Sequence, residues 1–174
     1  ARRYLYSDWR PQPWGGSFQE YFYGSALHET EFTEFRSLGA FERNLRSIVE
    51  IYRLKGSDVI LATQPSLYKD TMSEAELRKI GIPQRYVREG NQIASIATMK
   101  RGMEAFNDVT RRVANELRCG FVDLEPLVPK TVNHFANDVH YTVLSNRLIG
   151  EALSDYVISR KHVSVAETMG AQSQ

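Results

Sequence analysis

Twice in this chain an amphipathic helical pattern stops and runs at once into a short, wholly apolar strand pattern. In the first instance Phe41, Leu45, Ile48, Val49 and Tyr52 recur at helical spacing, Glu42, Arg43, Arg46, Glu50 and Arg53 take the opposite face, and Gly56 ends the helix before Val59-Ile60-Leu61-Ala62. In the second, Ile93, Ile96, Met103, Phe106, Val109, Val113 and Leu117 share one stripe, and Gly120 stops it before Phe121-Val122-Asp123-Leu124. Met103 and Phe106 read as core residues of that helix. Strands without polar alternation are buried on both faces, the mark of a parallel sheet covered by helices. The order is helix, strand, helix, strand, loop, helix, which predicts the later part of a three-layer α/β/α sandwich. Ligands of open α/β sheets bind at the carboxyl ends of the strands, so Thr63 and Gln64, which follow the first strand, are candidate substrate-binding residues.

The other segments fit around this frame. Residues 1–37 read as an aromatic-rich loop or strap: Tyr4, Tyr6, Trp9, Trp14, Phe18, Tyr21, Phe22, Tyr23, Phe32 and Phe35 are interrupted by Pro11, Pro13, Gly15, Gly16 and Gly24, which break any period. Such a strap covers apolar surface or walls a cleft. The domain proper is expected over 38–160, with an excursion over 66–90 in which Ser73-Glu74-Ala75-Glu76 has the form of a capping box. A last helix is expected from Val143 to Ile158, with Thr142 as N-cap and Leu144, Leu148, Ile149, Ala152, Leu153 and Tyr156 turned inward. Residues 161–174 read as a flexible tail.

Charge and cysteine usage remove several classes of function. Lys+Arg 22 against Asp+Glu 21 leaves a net charge of +1 with no basic block, so nucleic acid is not an expected partner. The single Cys119 allows no internal disulfide and no multi-cysteine metal site. His134 and His140 follow no metal-ligand spacing, and no metal or other cofactor is expected. No apolar run is long enough for a membrane span. Ala1-Arg2-Arg3 leads into no signal-peptide core, so the expectation is a leader already removed or an upstream part of a longer chain, compatible with a secreted or periplasmic location.

The chemistry is concentrated in Phe135-Ala136-Asn137-Asp138-Val139-His140-Tyr141-Thr142, between the second strand and the last helix. Imidazole is the general base whose ordinary pKa lies nearest neutrality, and it needs a neighbour to fix its tautomer. Asn137 and Asp138 are the candidates within the loop, and Asp123 at the neighbouring strand end is a third. His134 and His28 have no such context and read as surface residues.

This loop resembles the last block of the SGNH (GDSL-type) hydrolases, in which an Asp-x-x-His loop supplies the acid and base of a Ser-His-Asp triad. Asn137 stands where the family has aspartate, and Asp138 falls one residue later. Phe41 to Leu45, Ala62-Thr63-Gln64-Pro65, Ala105 to Val109 and Phe121 to Leu124 are also similar to later blocks of that family, in the same order, so the resemblance covers about residues 38–158. It implies a serine ester hydrolase, an esterase or acetylesterase, with His140 as general base and Asn137 or Asp138 holding its ring. The implied substrate is a small ester or an acylated carbohydrate. The family's nucleophile block has no counterpart here. Ser17 in Gly16-Ser17-Phe18 is a faint echo of it, and both Ser17 and Ser25 read more simply as turn serines. The nucleophile is therefore expected on an upstream or separate segment, and a second polypeptide or a neighbouring copy is the expected partner completing the sheet. The alternative is a catalytically silent domain of the same type that binds a glycan or a protein partner.

Overall fold

The computed structural model describes residues 28–80, 86–87 and 92–171, of which 86–87 and 161–171 are described by backbone alone. The chain is mixed α/β. Strand β1 (His28–Thr30) is followed by helix α1 (Leu38–Leu54), strand β2 (Ile60–Ala62), the single turn α2 (Glu74–Leu77), strands β3 (Tyr86–Val87) and β4 (Gln92–Ala94), helix α3 (Ile96–Glu116), strand β5 (Gly120–Val122) and helix α4 (Val143–Ala171).

The central pair is β2 with β5, parallel, in the register Ile60 to Gly120, Leu61 to Phe121 and Ala62 to Val122. These are the two expected apolar strands, and the parallel pairing follows from the helix-to-strand order. Val49 of α1, Leu61 of β2 and Val109, Val113 and Ala114 of α3 form one buried cluster, edged by Leu38, Phe41, Leu45, Val59, Leu117 and Phe121. Burying a side chain of this size contributes roughly 1.5–3 kcal/mol, so α1 and α3 are held to the strand pair chiefly by these few residues. Glu42 ties the two helices at the surface, accepting from Arg46 at 2.8 Å and from Arg112 at 2.6 Å.

Both helix ends are Schellman turns, but only one uses glycine. At the end of α1, Gly56 has φ +74°, its N–H donates to Arg53 O, and Ser57 N–H donates to Tyr52 O. At the end of α3 the left-handed position belongs to Arg118, φ +50°, with Arg118 N–H donating to Asn115 O and Cys119 N–H to Ala114 O. Gly120, expected as the stop, is the first residue of β5. Its role is close approach: a Cβ there would lie 2.9 Å from Ile60 Cγ1, 2.9 Å from Tyr156 Oη and 3.1 Å from the Val59 carbonyl. Tyr156 Oη accepts the Phe121 N–H at 3.2 Å, so Gly120 is the point where β2, β5 and α4 meet.

Several expectations are corrected. Ile93 is in β4, because the helix starts only after Ser95, whose hydroxyl caps it by accepting the Thr98 N–H at 3.1 Å. The aromatic-rich segment contributes a strand: β1 pairs in parallel with β4, and β3 pairs antiparallel on the other side of β4. The rest of that segment before His28 lies outside the described residues. Ile48 and Tyr52, placed on the buried face of α1, are 48% and 56% exposed, and together with Ile51 and Leu54 they leave an open apolar strip. Leu144 is likewise exposed, whereas its neighbour Ser145 is fully buried. Helix α4 continues past Ile158 to Ala171. The capping box at Ser73 forms as expected, with Ser73 N–H donating to Glu76 Oε2 at 2.8 Å and Glu76 N–H to Ser73 Oγ at 3.3 Å.

Two substitutions only two positions apart are expected to act in opposite directions. Gly120→Ala forces a methyl group against Ile60 and the Val59 backbone and should cost about 1–3 kcal/mol. Arg118→Gly relieves the left-handed side chain and should gain up to about 1 kcal/mol. Urea denaturation of the two variants checks both signs.

Candidate active site

The His140 loop is a compact unit. Phe135 and Tyr141 face each other in an antiparallel bridge, Ala136 N–H donates to His140 O at 2.8 Å, and Thr142 N–H donates to His134 O at 3.0 Å. Below it lies a second apolar cluster of Leu67, Val128 and Phe135, with Met72, Tyr141 and Ile149 against it and the Phe135 and Tyr141 rings edge to face at 5.6 Å. Ser145 explains its own burial, since its hydroxyl donates to His134 O at 2.7 Å and pins the first turn of α4 under the loop. The hydroxyl of Thr142 donates to Asn133 O at 2.8 Å, while its carbonyl accepts the Asn146 N–H and so opens the helix. His134, the loop's other histidine, pairs its Nδ1 with Thr131 Oγ1 at 2.9 Å.

Asn137 and Asp138 point to different partners. Asn137 Oδ1 accepts the Val139 N–H at 3.1 Å and the His140 N–H at 2.9 Å, and His140 Nδ1 lies 2.9 Å from the same atom. Two backbone donors converging on one atom identify it as the amide oxygen, so the ring nitrogen facing it carries the proton. The neutral imidazole is thereby the Nδ1–H tautomer, and Nε2 is left as the acceptor. Asp138 faces inward at 2% exposure and accepts the Tyr68 hydroxyl at 2.6 Å through Oδ2. Its backbone carbonyl accepts the Leu67 N–H at 2.8 Å. Asp138 therefore clamps the His loop to the segment after β2 and does not touch the ring. Asp123 is also committed elsewhere, to the Thr63 hydroxyl at 2.6 Å and to Arg111 at 3.0 Å. Burial alone would raise the Asp123 carboxyl, but the hydrogen bonds from Arg111 and Thr63, aided by the Arg111 charge and the Glu125 N–H, outweigh it and hold the carboxyl below its usual range.

The two strand-end candidates separate in the same way. Thr63 is 2% exposed, and its hydroxyl accepts the Glu125 N–H at 2.9 Å while donating to Asp123, so it locks the ends of β2 and β5 together and does not line the cleft. Gln64 is exposed. Its backbone is gripped by the buried Asn107, which accepts the Gln64 N–H at 2.8 Å and donates to Gln64 O at 3.0 Å. The side chain reaches across to the His loop: Gln64 Nε2 donates to Tyr141 Oη and lies 3.4 Å from both Val139 O and Pro65 O. Tyr141 Oη in turn donates to Pro65 O at 3.2 Å. Burial outweighs the Gln64 hydrogen bond and pushes the Tyr141 hydroxyl up to about 12, so it stays neutral.

These contacts place the His loop at the carboxyl end of β2, beside a cleft of about 570 Å³ lined by Gln64, Met103, Val139, His140, Tyr141 and Asn146. That volume is within the ~300–1,000 Å³ of small-molecule sites. Met103, expected in the core, is half-buried and belongs to this wall. No local sequence signal marks Tyr68 or Asn146: the Tyr68 hydroxyl bonds Asp138 far along the chain, and Asn146 lines a cleft whose Gln64 and Met103 walls come from distant segments. Among the described residues the ring of His140 is hydrogen-bonded to Asn137 alone, and Ser17 and Ser25 lie outside the described residues. Also among the described residues, no three His, Cys, Asp or Glu side chains are grouped to hold a metal ion, and no helix is long and apolar enough to cross a membrane. Comparison with protein-family models, curated proteins and solved structures returns no match.

The tautomer is directly measurable. Long-range ¹H–¹⁵N correlation of His140 at alkaline pH should show a protonated Nδ1 and an unprotonated Nε2, and Asn137→Ala should shift the balance toward the Nε2–H form that free imidazole prefers. An Nε2–H ring in the unaltered protein would contradict the assignment.

Proposed function

We propose that this chain carries the general base of an SGNH-type serine ester hydrolase, in a domain that forms a three-layer α/β/α sandwich when its sheet is complete. The observation that carries the reading is the 2.9 Å contact of His140 Nδ1 with Asn137 Oδ1, which in the neutral ring turns Nε2 into the acceptor, on an exposed residue beside a cleft at the carboxyl end of a parallel strand pair. An imidazole so presented can take a proton from a hydroxyl nucleophile. A serine Oγ attacks the ester carbonyl as its proton passes to Nε2. The tetrahedral intermediate collapses with cleavage of the C–O bond, and Nε2–H returns the proton to the leaving alcohol. Water then attacks the acyl-serine, again losing its proton to Nε2, and the serine oxygen recovers that proton as the acid departs.

The serine is supplied by a segment laid beside the β2–β5 pair, from an upstream part of a longer chain, a second polypeptide or a neighbouring copy. Two observations favour this. Among the described residues β2 and β5 pair only with each other, and Ile48, Ile51, Tyr52 and Leu54 leave an apolar strip open on α1. Asn137 itself favours a second reading, a silent domain binding a glycan or a protein, since an amide holds the ring but cannot offset the charge of the imidazolium.

The purified protein should hydrolyse p-nitrophenyl acetate, and His140→Ala should abolish this. Asn137→Asp should raise kcat/KM, by well under the ~10⁴ of the reverse change at the aspartate of a serine protease triad, because there the amide also imposes the wrong tautomer, whereas Asn137 already holds Nδ1–H and lacks only the charge. Turnover equal in His140→Ala and the unaltered protein would leave the silent domain as the reading.

A further inference from the structure

We infer that Gln64 and Asn146 form a hydroxyl-reading subsite beside His140, built for a neutral, polyhydroxylated group such as a sugar ring. The inference deepens the hydrolase reading and, in naming the group that His140 releases, rests on it.

The argument starts from the amide of Gln64. Its nitrogen faces the Val139 and Pro65 carbonyls and the Tyr141 hydroxyl. Two carbonyl oxygens on one side identify that atom as nitrogen, as the two N–H donors do for Asn137 Oδ1. The orientation of the amide is thereby set, and Oε1 has no hydrogen-bond partner among the described residues. With Asn107 gripping the backbone of the same residue at 2.8 and 3.0 Å, Oε1 is a fixed acceptor at the cleft wall. Asn146, one turn into α4, lines the same cleft, and its side-chain amide makes no hydrogen bond among the described residues. It offers both a donor and an acceptor.

The chemistry of the remaining wall narrows the ligand. Met103, Val139 and the Tyr141 ring present carbon surface, and among the described lining residues none is Lys, Arg, Asp or Glu. A phosphate or carboxylate would find no Lys or Arg there to pair with. A long acyl chain would leave the Gln64 and Asn146 amides facing hydrocarbon, with their hydrogen bonds to water lost. A sugar ring meets both halves of the wall: hydroxyls that donate and accept, and a face of C–H groups for Met103 and Val139. Because Tyr141 Oη is committed to Gln64 and Pro65, it acts as packing surface.

The experiment has two arms. In the first, methyl β-glucoside is titrated into the intact protein and the side-chain amide resonances of Gln64 and Asn146 are followed, with methoxycyclohexane as the hydroxyl-free probe. The expected result is saturable movement of both amides with the glucoside and none with methoxycyclohexane. No movement with the glucoside, or equal movement with both, overturns the subsite whether or not the protein is a hydrolase. In the second arm, kcat/KM is measured for an acetylated methyl glucoside and for butyl acetate. The ratio of the two should fall about tenfold in Gln64→Met and again in Asn146→Ala, the worth of roughly one hydrogen bond each. An unchanged ratio in both variants overturns the inference. Absence of all hydrolysis with the amide shifts intact overturns the hydrolase reading and leaves the subsite standing as a binding site.

Discussion

The pairing of β2 with β5 is the constraint on which the site depends. It is only three residues long on each strand, and it is reinforced where each strand ends. At the start, Gly120 lets Ile60, the Val59 backbone and Tyr156 close to contact distance, and Val59 O accepts the Gly120 N–H at 2.9 Å. At the far end, Thr63 continues the ladder to Val122 O and spans to Asp123 and Glu125 through its hydroxyl. Buried polar groups fully engaged in this way hold geometry more than they add stability, because each hydrogen bond replaces one to water. The consequence is that the chain leaves β2 in a fixed direction, with Asn107 already holding the next residue.

From that exit, two chain segments are cross-linked into one platform. Leu67 N–H and the Tyr68 hydroxyl both bond Asp138, Gln64 and Tyr141 join side chain to side chain, and Lys130 reaches back to the Ser66 and Tyr68 carbonyls at 3.0 and 3.2 Å. Lys69 closes the outer side, donating to Glu76 at 2.6 Å and to Lys130 O at 3.0 Å. The Lys69 and Ser73 hydrogen bonds hold the Glu76 carboxyl below its usual range. A carboxyl so lowered stabilises the fold above its unfolded-state pKa and loses that contribution as pH falls through the folded value. Acid should therefore loosen the 66–80 excursion. The imidazole needs such a platform: orientation by Asn137 is useful only if the loop carrying both residues is itself immobile.

What could be read from the sequence follows from the distance between partners. The Asn137 contact is local, spanning three residues, and the Asn-x-x-His spacing is enough to suggest it. The strand pair and the α1–α3 packing were legible because the apolar period switches from helix to strand on passing Gly56 and again after Leu117. Ile93 misled, since it continues the spacing of Ile96 across Ser95; the Ser95-x-x-Thr98 cap was the signal that would have separated strand from helix. Strand β1, His28-Glu29-Thr30, carries no apolar side chain and announces nothing. Asp138 was ambiguous because its partner, Tyr68, is seventy positions away, and nothing in the loop records that its carboxylate turns inward. The Arg118 turn was hidden by the more conspicuous Gly120 two residues on.

The account turns on His140 serving as base to a serine, and active-serine labelling tests that most directly. A fluorophosphonate should label a single serine in the preparation, identified by peptide mapping on this chain or on a polypeptide bound to it, and His140→Ala should suppress the labelling. Labelling that persists in His140→Ala, or no labelled serine in the folded protein, would contradict the account.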